Sequence, residues 1–451
     1  MKAQSKIAAA TLALFLLASC SCGSGAAGST TAGSAAGSNS AGGAVKGRAV
    51  SWLLSRPADG AVITTVKALA DDYAKTHPGF SLNLMTTPDR PSYIQKYETL
   101  AAGNKLPDLF DTDATPFAQK LAKQGRMMDV SKLLKSLGVY NNYRPAALNY
   151  QRFDDGSLYM VPFEYQLEVF WYNKALFAQA GVAVPSSLDQ IPALCHSLRA
   201  KGITPIALDG QDQWPLERYV AYQPFRQTGN PFVKKLKQAQ ASFDDPAGQK
   251  TVTWMSALGS NKCFEDGFSS TGYSDAQALF TSGKAAMYNI GTWELSSLAT
   301  DKLQAKVRND VNFFTLPTTS NAVTAANEYF SPSGIGMAVN GKTYDPLMAD
   351  FLKYLLTRYP AKYAALGNLS PTTNAPTTIP PNATPLYKKL IDAADHVGPT
   401  SALPWDTQLD PTSNTRLQQE LVTLVQGDTS PSQFTSTMNS AIKQNAPKYL
   451  N

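Results

Sequence analysis

Trp52, Trp214, Trp293 and Trp405 each stand beside small, polar or proline residues rather than inside an apolar run, which puts four of the six tryptophans in expected loops. A flat apolar ring on a loop is a stacking platform. The ligand that suits it has one apolar face and a polar rim, and a pyranose, with a C–H face and hydroxyls around its edge, has that shape. Each of the four has packing as its alternative, since tryptophan is often buried for packing alone. Trp171, within Val169-Phe170-Trp171-Tyr172, and Trp254 read as core. For a polar rim the candidates are Asp113, Tyr165, Gln166 and Gln213, side chains that exchange hydrogen bonds with hydroxyls.

Other chemistries find less support in the residue pattern. His77, His196 and His396 are the three histidines, and none lies at ligand spacing from another histidine or a cysteine pair, so no metal site is expected. Neither HExxH nor a GxSxG nucleophile elbow occurs. Gly23, Gly25 and Gly28 match a dinucleotide fingerprint without a strand before or a helix after them. Gly336 to Thr343 fits a phosphate-binding GxxxxGKT string, but an apolar strand pattern fills its interior and the helix signal comes only at Asp345-Pro346. No cofactor is therefore implied. Carboxylates are plentiful, and a glycosidase needs only two that face each other, so this chemistry stays open as the alternative.

The elements that would position these residues follow from length and periodicity. At 451 residues the chain exceeds the size of a single growing core, so two lobes are expected. Lys2 and Lys6 precede an apolar run from Ile7 to Ala18, an export signal too short to span a bilayer comfortably. Removing those two lysines takes the formal charge from +6 to +4, too mild and evenly spread to argue for nucleic acid. From Ser21 to Gly43 nearly every residue is Gly, Ala, Ser or Thr, a flexible tether reaching about 25 to 30 Å. Beyond it, Ala49 to Leu54 reads as a strand, Val62 to Tyr73 as a helix, Phe80 to Leu84 as a strand, Tyr93 to Ala101 as a helix and Pro107 to Phe110 as a strand. That order implies a parallel sheet with ligands at the carboxyl ends of its strands, by the loops after Trp52 and Phe110. Leu188 to Arg199 reads as a further helix, Gly202 to Leu208 and Gly334 to Val339 as strands, Ser370 to Pro385 as an irregular excursion, and two amphipathic helices close the chain.

Asp155 to Phe163 with Trp171 to Phe177, and Phe280 to Glu294, are two segments that resemble the bacterial extracellular solute-binding proteins that capture sugars for ABC transporters. Asp155-Gly156-Ser157-Leu158-Tyr159-Met160-Val161-Pro162-Phe163, leading to Trp171-Tyr172-Asn173-Lys174-Ala175-Leu176-Phe177, is similar to the family's first crossing between lobes. Phe280 to Glu294, with Ser282-Gly283-Lys284-Ala285-Ala286-Met287 and Gly291-Thr292-Trp293, is similar to a second family stretch. Leu17-Ala18-Ser19-Cys20 resembles a lipobox, which implies acylation at Cys20.

The resemblance implies an α/β fold of two lobes, of the class II periplasmic-binding type, each a mostly parallel sheet flanked by helices and joined by a hinge. The expected organisation is a leader over 1–19, a lipidated cysteine and tether over 20–47, a first lobe over 48–165 and 311–360, and a second over 166–310 and 361–451. It also implies a monomer without catalysis, anchored by lipid outside the cytoplasmic membrane, delivering a carbohydrate to permease subunits. The competing class is an exported glycoside-active lipoprotein. Trp293 and Trp405 match positions where the family places ring-stacking residues. With Cys20 acylated and Cys22 in the tether, Cys195 and Cys263 remain, and outside the cytoplasm they are expected to pair, the alternative being two buried thiols.

Overall fold

Val50 and Trp52 point to one face of the first strand and Ser51 and Leu53 to the other, and helices cover both faces. The computed structural model describes residues 47–56, 58–398 and 400–450, so the leader, Cys20 and the tether lie outside the described residues. Among those described, the strands are β1 (Ala49–Leu53), β2 (Ser81–Met85), β3 (Leu109–Thr112), β4 (Met160–Val161), β5 (Glu168–Asn173), β6 (Thr204–Ala207), β7 (Ala285–Gly291), β8 (Val311–Phe314) and β9 (Gly336–Val339). They form two sheets, ordered β2-β1-β3-β9-β4 and β6-β7-β5-β8.

In the first lobe Val50, Trp52, Leu109, Met337 and Val339 pack with the helices Ala61–Ala74 and Pro346–Ala365. Leu53, Phe110 and Ala338 pack on the opposite side with Tyr93 and Tyr97 of the helix Arg90–Ala102 and Leu121 of the helix Pro116–Lys123. Alternation along a strand buried on both faces yields this split. The second lobe has its own core, built on Trp171, Met287, Tyr219, Trp254, Leu421 and Met438. Its central helix, Trp214–Thr228, is buried along most of its length. Cys195 and Cys263 form a disulfide that ties the helix Ile191–Arg199 to the segment beside β6.

Two expectations change. The sheets are mixed rather than mostly parallel: β1 runs parallel to β2 and β3, and β6 to β7, but β9 is antiparallel to β3 and β4, and β5 to β7 and β8. The reason is the route of the chain, because β9 comes back from the other lobe and so enters the first sheet from the end at which β1 and β3 leave it. The lobe boundaries also move. Residues 311–314 are β8, hydrogen-bonded to β5 in the second sheet, and Tyr363 still packs in the first core. Three segments therefore cross between lobes, over 162–167, 315–335 and 366–384. Gly336 to Val339 is a buried strand with its helix starting at Pro346, which leaves no phosphate-binding turn there. No helix among the described residues is long and apolar enough to cross a membrane.

Candidate functional site

Asp111, next to last in β3, is fully buried and gathers the end of β1 and the loop after it around itself. Its carboxylate accepts from Trp52 Nε1 at 3.0 Å, Ser55 N at 2.9 Å and Arg56 Nε at 3.0 Å. Trp52 is thus no stacking platform. Its side chain lies on the covered face of β1 against Phe163, and the buried indole N–H requires the acceptor that Asp111 supplies. Arg56 also binds Glu164 at 3.1 Å, Glu164 accepts from Gln166 Nε2 at 2.8 Å, and Gln166 Oε1 accepts from the Thr292 hydroxyl at 2.6 Å. A polar relay therefore runs through the hinge from one lobe to the other. Gln166 belongs to this relay rather than to a ligand rim, and Tyr165 is buried beside it with the Arg144 guanidinium 5.2 Å above its ring. Burial alone would lower the Arg56 pKa, but Asp111 and Glu164 more than offset that and raise it.

Between the lobes stands a second chain of charges, alternating in sign. Arg90, at the start of the helix capped by Asp89, pairs with Asp113 at 2.7 Å and lies 3.7 Å from Asp406 of the second lobe. Asp406 accepts from Arg218 at 2.5 Å, and Arg218 holds Glu168 at 2.9 Å. Burial works against both guanidiniums, yet Asp406 between them, with Asp113 and Glu168 outside, raises their pKa values and keeps them cationic. Of the sequence candidates only Asp113 belongs to this chain. Arg90, Arg218, Glu168 and Asp406 were missed; the available signal was Glu217-Arg218 inside an otherwise aromatic-rich stretch, where a charge must be paired.

Trp405 explains how Asp406 reaches the seam. Its ring is 1% exposed and packs on Phe232 and Phe243, at centroid separations of 6.0 and 5.9 Å, so it is a core anchor and not the stacking residue expected. The single helical turn Trp405–Thr407 buries the aromatic and turns the next side chain toward Arg90 and Arg218.

Trp214 and Trp293 behave differently. Both are half-buried, with ring centroids 6.1 Å apart and planes inclined at 58°. Trp214 lies under the Arg218 guanidinium at 4.9 Å, which joins the tryptophan pair to the charge chain. Trp293 Nε1 donates to Tyr273 Oη at 2.7 Å, and that hydroxyl donates to Glu294 at 2.5 Å. The glycine two residues earlier has a steric reason, because a Cβ on Gly291 would sit 1.9 Å from the Trp293 ring. Gln213, half-buried at φ +67°, turns the chain into the helix that carries Trp214. The architecture thus gathers an aromatic pair, carboxylates and guanidiniums at one seam, a set able to stack on a ring and hydrogen-bond its rim. Farther out along the seam, a groove of about 980 Å³ lies between Glu98 and Phe117 of the first lobe and the helices Pro411–Gln426 and Pro431–Asn445.

Asp209, just beyond β6, is 1% exposed and accepts from Asp212 N at 3.1 Å. Burial, with the Asp212 carboxylate beside it, pushes its pKa up to about 7. Because the folded state then holds the proton more tightly than the unfolded chain, the stability it contributes is full at acid pH and is lost as pH climbs from about 4 through about 7. Against Asp209→Asn, the native protein should therefore lose melting temperature progressively across that window. Parallel melting curves for the two proteins would show that Asp209 is already ionised throughout.

Two α/β lobes joined by three crossing segments, with a polar, aromatic-edged seam between them, are the architecture of a two-lobed binding protein. Residues 59–358 match the family described as bacterial extracellular solute-binding protein, and the chain belongs to that family. It is 22% identical over 308 residues to the multiple sugar-binding protein of Streptococcus mutans, covering 65% of this chain and 68% of that one. It is 23% identical over 232 residues to an ABC transporter extracellular-binding protein of Pyrococcus horikoshii, covering 50% of this chain and about half, 52%, of the relative. Among solved structures, a chitin oligosaccharide binding protein superposes with a TM-score of 0.77 at 22% identity, covering 89% of this chain and 100% of that chain.

Proposed function

We propose that the protein captures a sugar or oligosaccharide between its lobes and delivers it to the permease of an ABC importer, held at the outer face of the cytoplasmic membrane by a lipid on Cys20. The observation that carries this reading is the half-buried Trp214–Trp293 pair beside the Arg218–Asp406–Arg90 chain. A sugar ring needs both, an aromatic face for its C–H side and charged acceptors and donors for its hydroxyls. The sugar-binding and ABC-transporter relatives support the same ligand class and partner. Capture without turnover fits the family, and ligand would favour closure through contacts formed only when the lobes meet.

A thermal-shift screen over mono- and oligosaccharides is the direct test, because a ligand that binds only the folded state adds about 2.7 kcal/mol of stability at a hundredfold excess over Kd and so raises the melting temperature. One class of saccharide should shift the transition and be recovered intact after incubation. A flat screen would remove the sugar reading, and cleavage of the hit would favour a glycoside-active enzyme. Mass spectrometry of membrane-extracted protein should find a lipidated N-terminal Cys20; a mature chain starting elsewhere would remove the anchor.

A further inference from the structure

We propose that Asp154 and Lys237 form a latch that sets how far the ligand-free lobes stand closed. The Lys237 side chain is only 10% exposed, and its ammonium is held by Gln408 Oε1 of its own lobe at 3.0 Å and by the Asp154 carboxylate of the other lobe. Lys234 adds a second, looser contact to Asp154 at 3.9 Å.

Each partner is fixed to its own lobe. Asp154 sits in the tight turn closed by Phe153 N to Ser157 O at 3.1 Å, and Phe153 is buried in the first-lobe core. Asp155 is tied back to Gln119 of that lobe at 3.1 Å. Lys237 follows directly on Leu236, which is fully buried in the second-lobe core. The separation of the two charges therefore follows the separation of the lobes, and the pair exists only when they are together. A contact confined to the closed state shifts the resting equilibrium toward it, whatever the ligand. Neither residue touches the tryptophan pair or the Arg90–Asp406 chain, so both act by positioning lobes. This inference rests on the two-lobe arrangement and not on the identity of any sugar.

Spin labels at Lys67→Cys on the first lobe and Ser432→Cys on the second would report interlobe distance in ligand-free protein. Lys237→Met should move the distribution to longer distances, with the closed-to-open ratio falling about threefold to fivefold, as for a partly exposed ion pair. High salt should produce a similar move in the native protein and little in the variant. In a Lys234→Gln background, the exchange of Asp154→Lys with Lys237→Asp should restore the short distances. Unchanged distances in Lys237→Met would overturn the latch, and so would a lengthening that the exchange fails to reverse.

Discussion

Replacing Arg56 with methionine should cost about 3 to 5 kcal/mol of unfolding free energy, the range seen when one partner of a buried ion pair is removed. Methionine keeps much of the side-chain volume, so the loss comes mainly from charge. Arg56 is 7% exposed and Asp111 not at all, and without the guanidinium two carboxylates remain, on Asp111 and Glu164, with no cation between them. Trp52 and Ser55 still donate to Asp111, and Gln166 to Glu164, which favours the lower end of the range. Burial already pushes both acids above their ordinary pKa values, and losing Arg56 removes the main opposing influence on each. Their protonation in acid would relieve the repulsion, so the deficit should shrink as pH falls. Urea unfolding at neutral and acid pH measures both effects. A deficit under about 1 kcal/mol, typical of exposed pairs, would show that solvent reaches the hinge.

The first sheet was legible because its early strands carry apolar runs or a clean apolar alternation, Leu82 and Leu84 against Ser81 and Asn83, and the first two are each followed by a helical pattern. β9 was legible as a strand but not in direction, since direction depends on which lobe the chain returns from, and no local residue records that. β8 illustrates the same limit: Val311 to Phe314 pairs with β5, whose sequence lies far upstream. The tryptophan reading failed where neighbour chemistry misled. Ser51 beside Trp52 suggested an open site at the end of the expected strand, yet its N–H and hydroxyl both bond the Asp108 carboxylate at 2.9 Å, which lets a serine sit within a sheet whose neighbouring Trp52 is buried. Pro404 and Asp406 did mark a turn, but a turn can bury its aromatic while aiming the polar neighbour into the seam.

The two polar chains divide the labour that a hinged binder requires. Asp111 and Arg56 of the first lobe, Glu164 and Gln166 of the crossing and Thr292 of the second lobe are each bonded to the next and fix how the lobes join. Asp113 and Arg90 pair within the first lobe, and Asp406, Arg218 and Glu168 within the second, so parting the lobes would break the link that joins the two groups, Arg90–Asp406 at 3.7 Å. Satisfied buried networks favour one geometry, and a network with one long link can be divided there.

Trp405→Ala and Trp293→Ala should fail in opposite ways. Truncating Trp405 empties a packed site beside Phe232 and Phe243, which should cost about 3 to 5 kcal/mol of stability, the range for a buried aromatic. Truncating Trp293 removes a half-exposed ring that contacts Trp214 and donates to Tyr273, so the ligand-free melting temperature should move far less. If that ring stacks on a sugar, affinity should instead fall by about 2 kcal/mol or more, near thirtyfold in Kd, as for a central aromatic contact. Calorimetric titration with a saccharide from the thermal screen, beside melting curves of both ligand-free variants, separates the two roles. Equal destabilisation with an unchanged Kd for Trp293→Ala would assign its ring to packing, and the aromatic platform would then have to be sought among residues nearer Arg90 and Asp113.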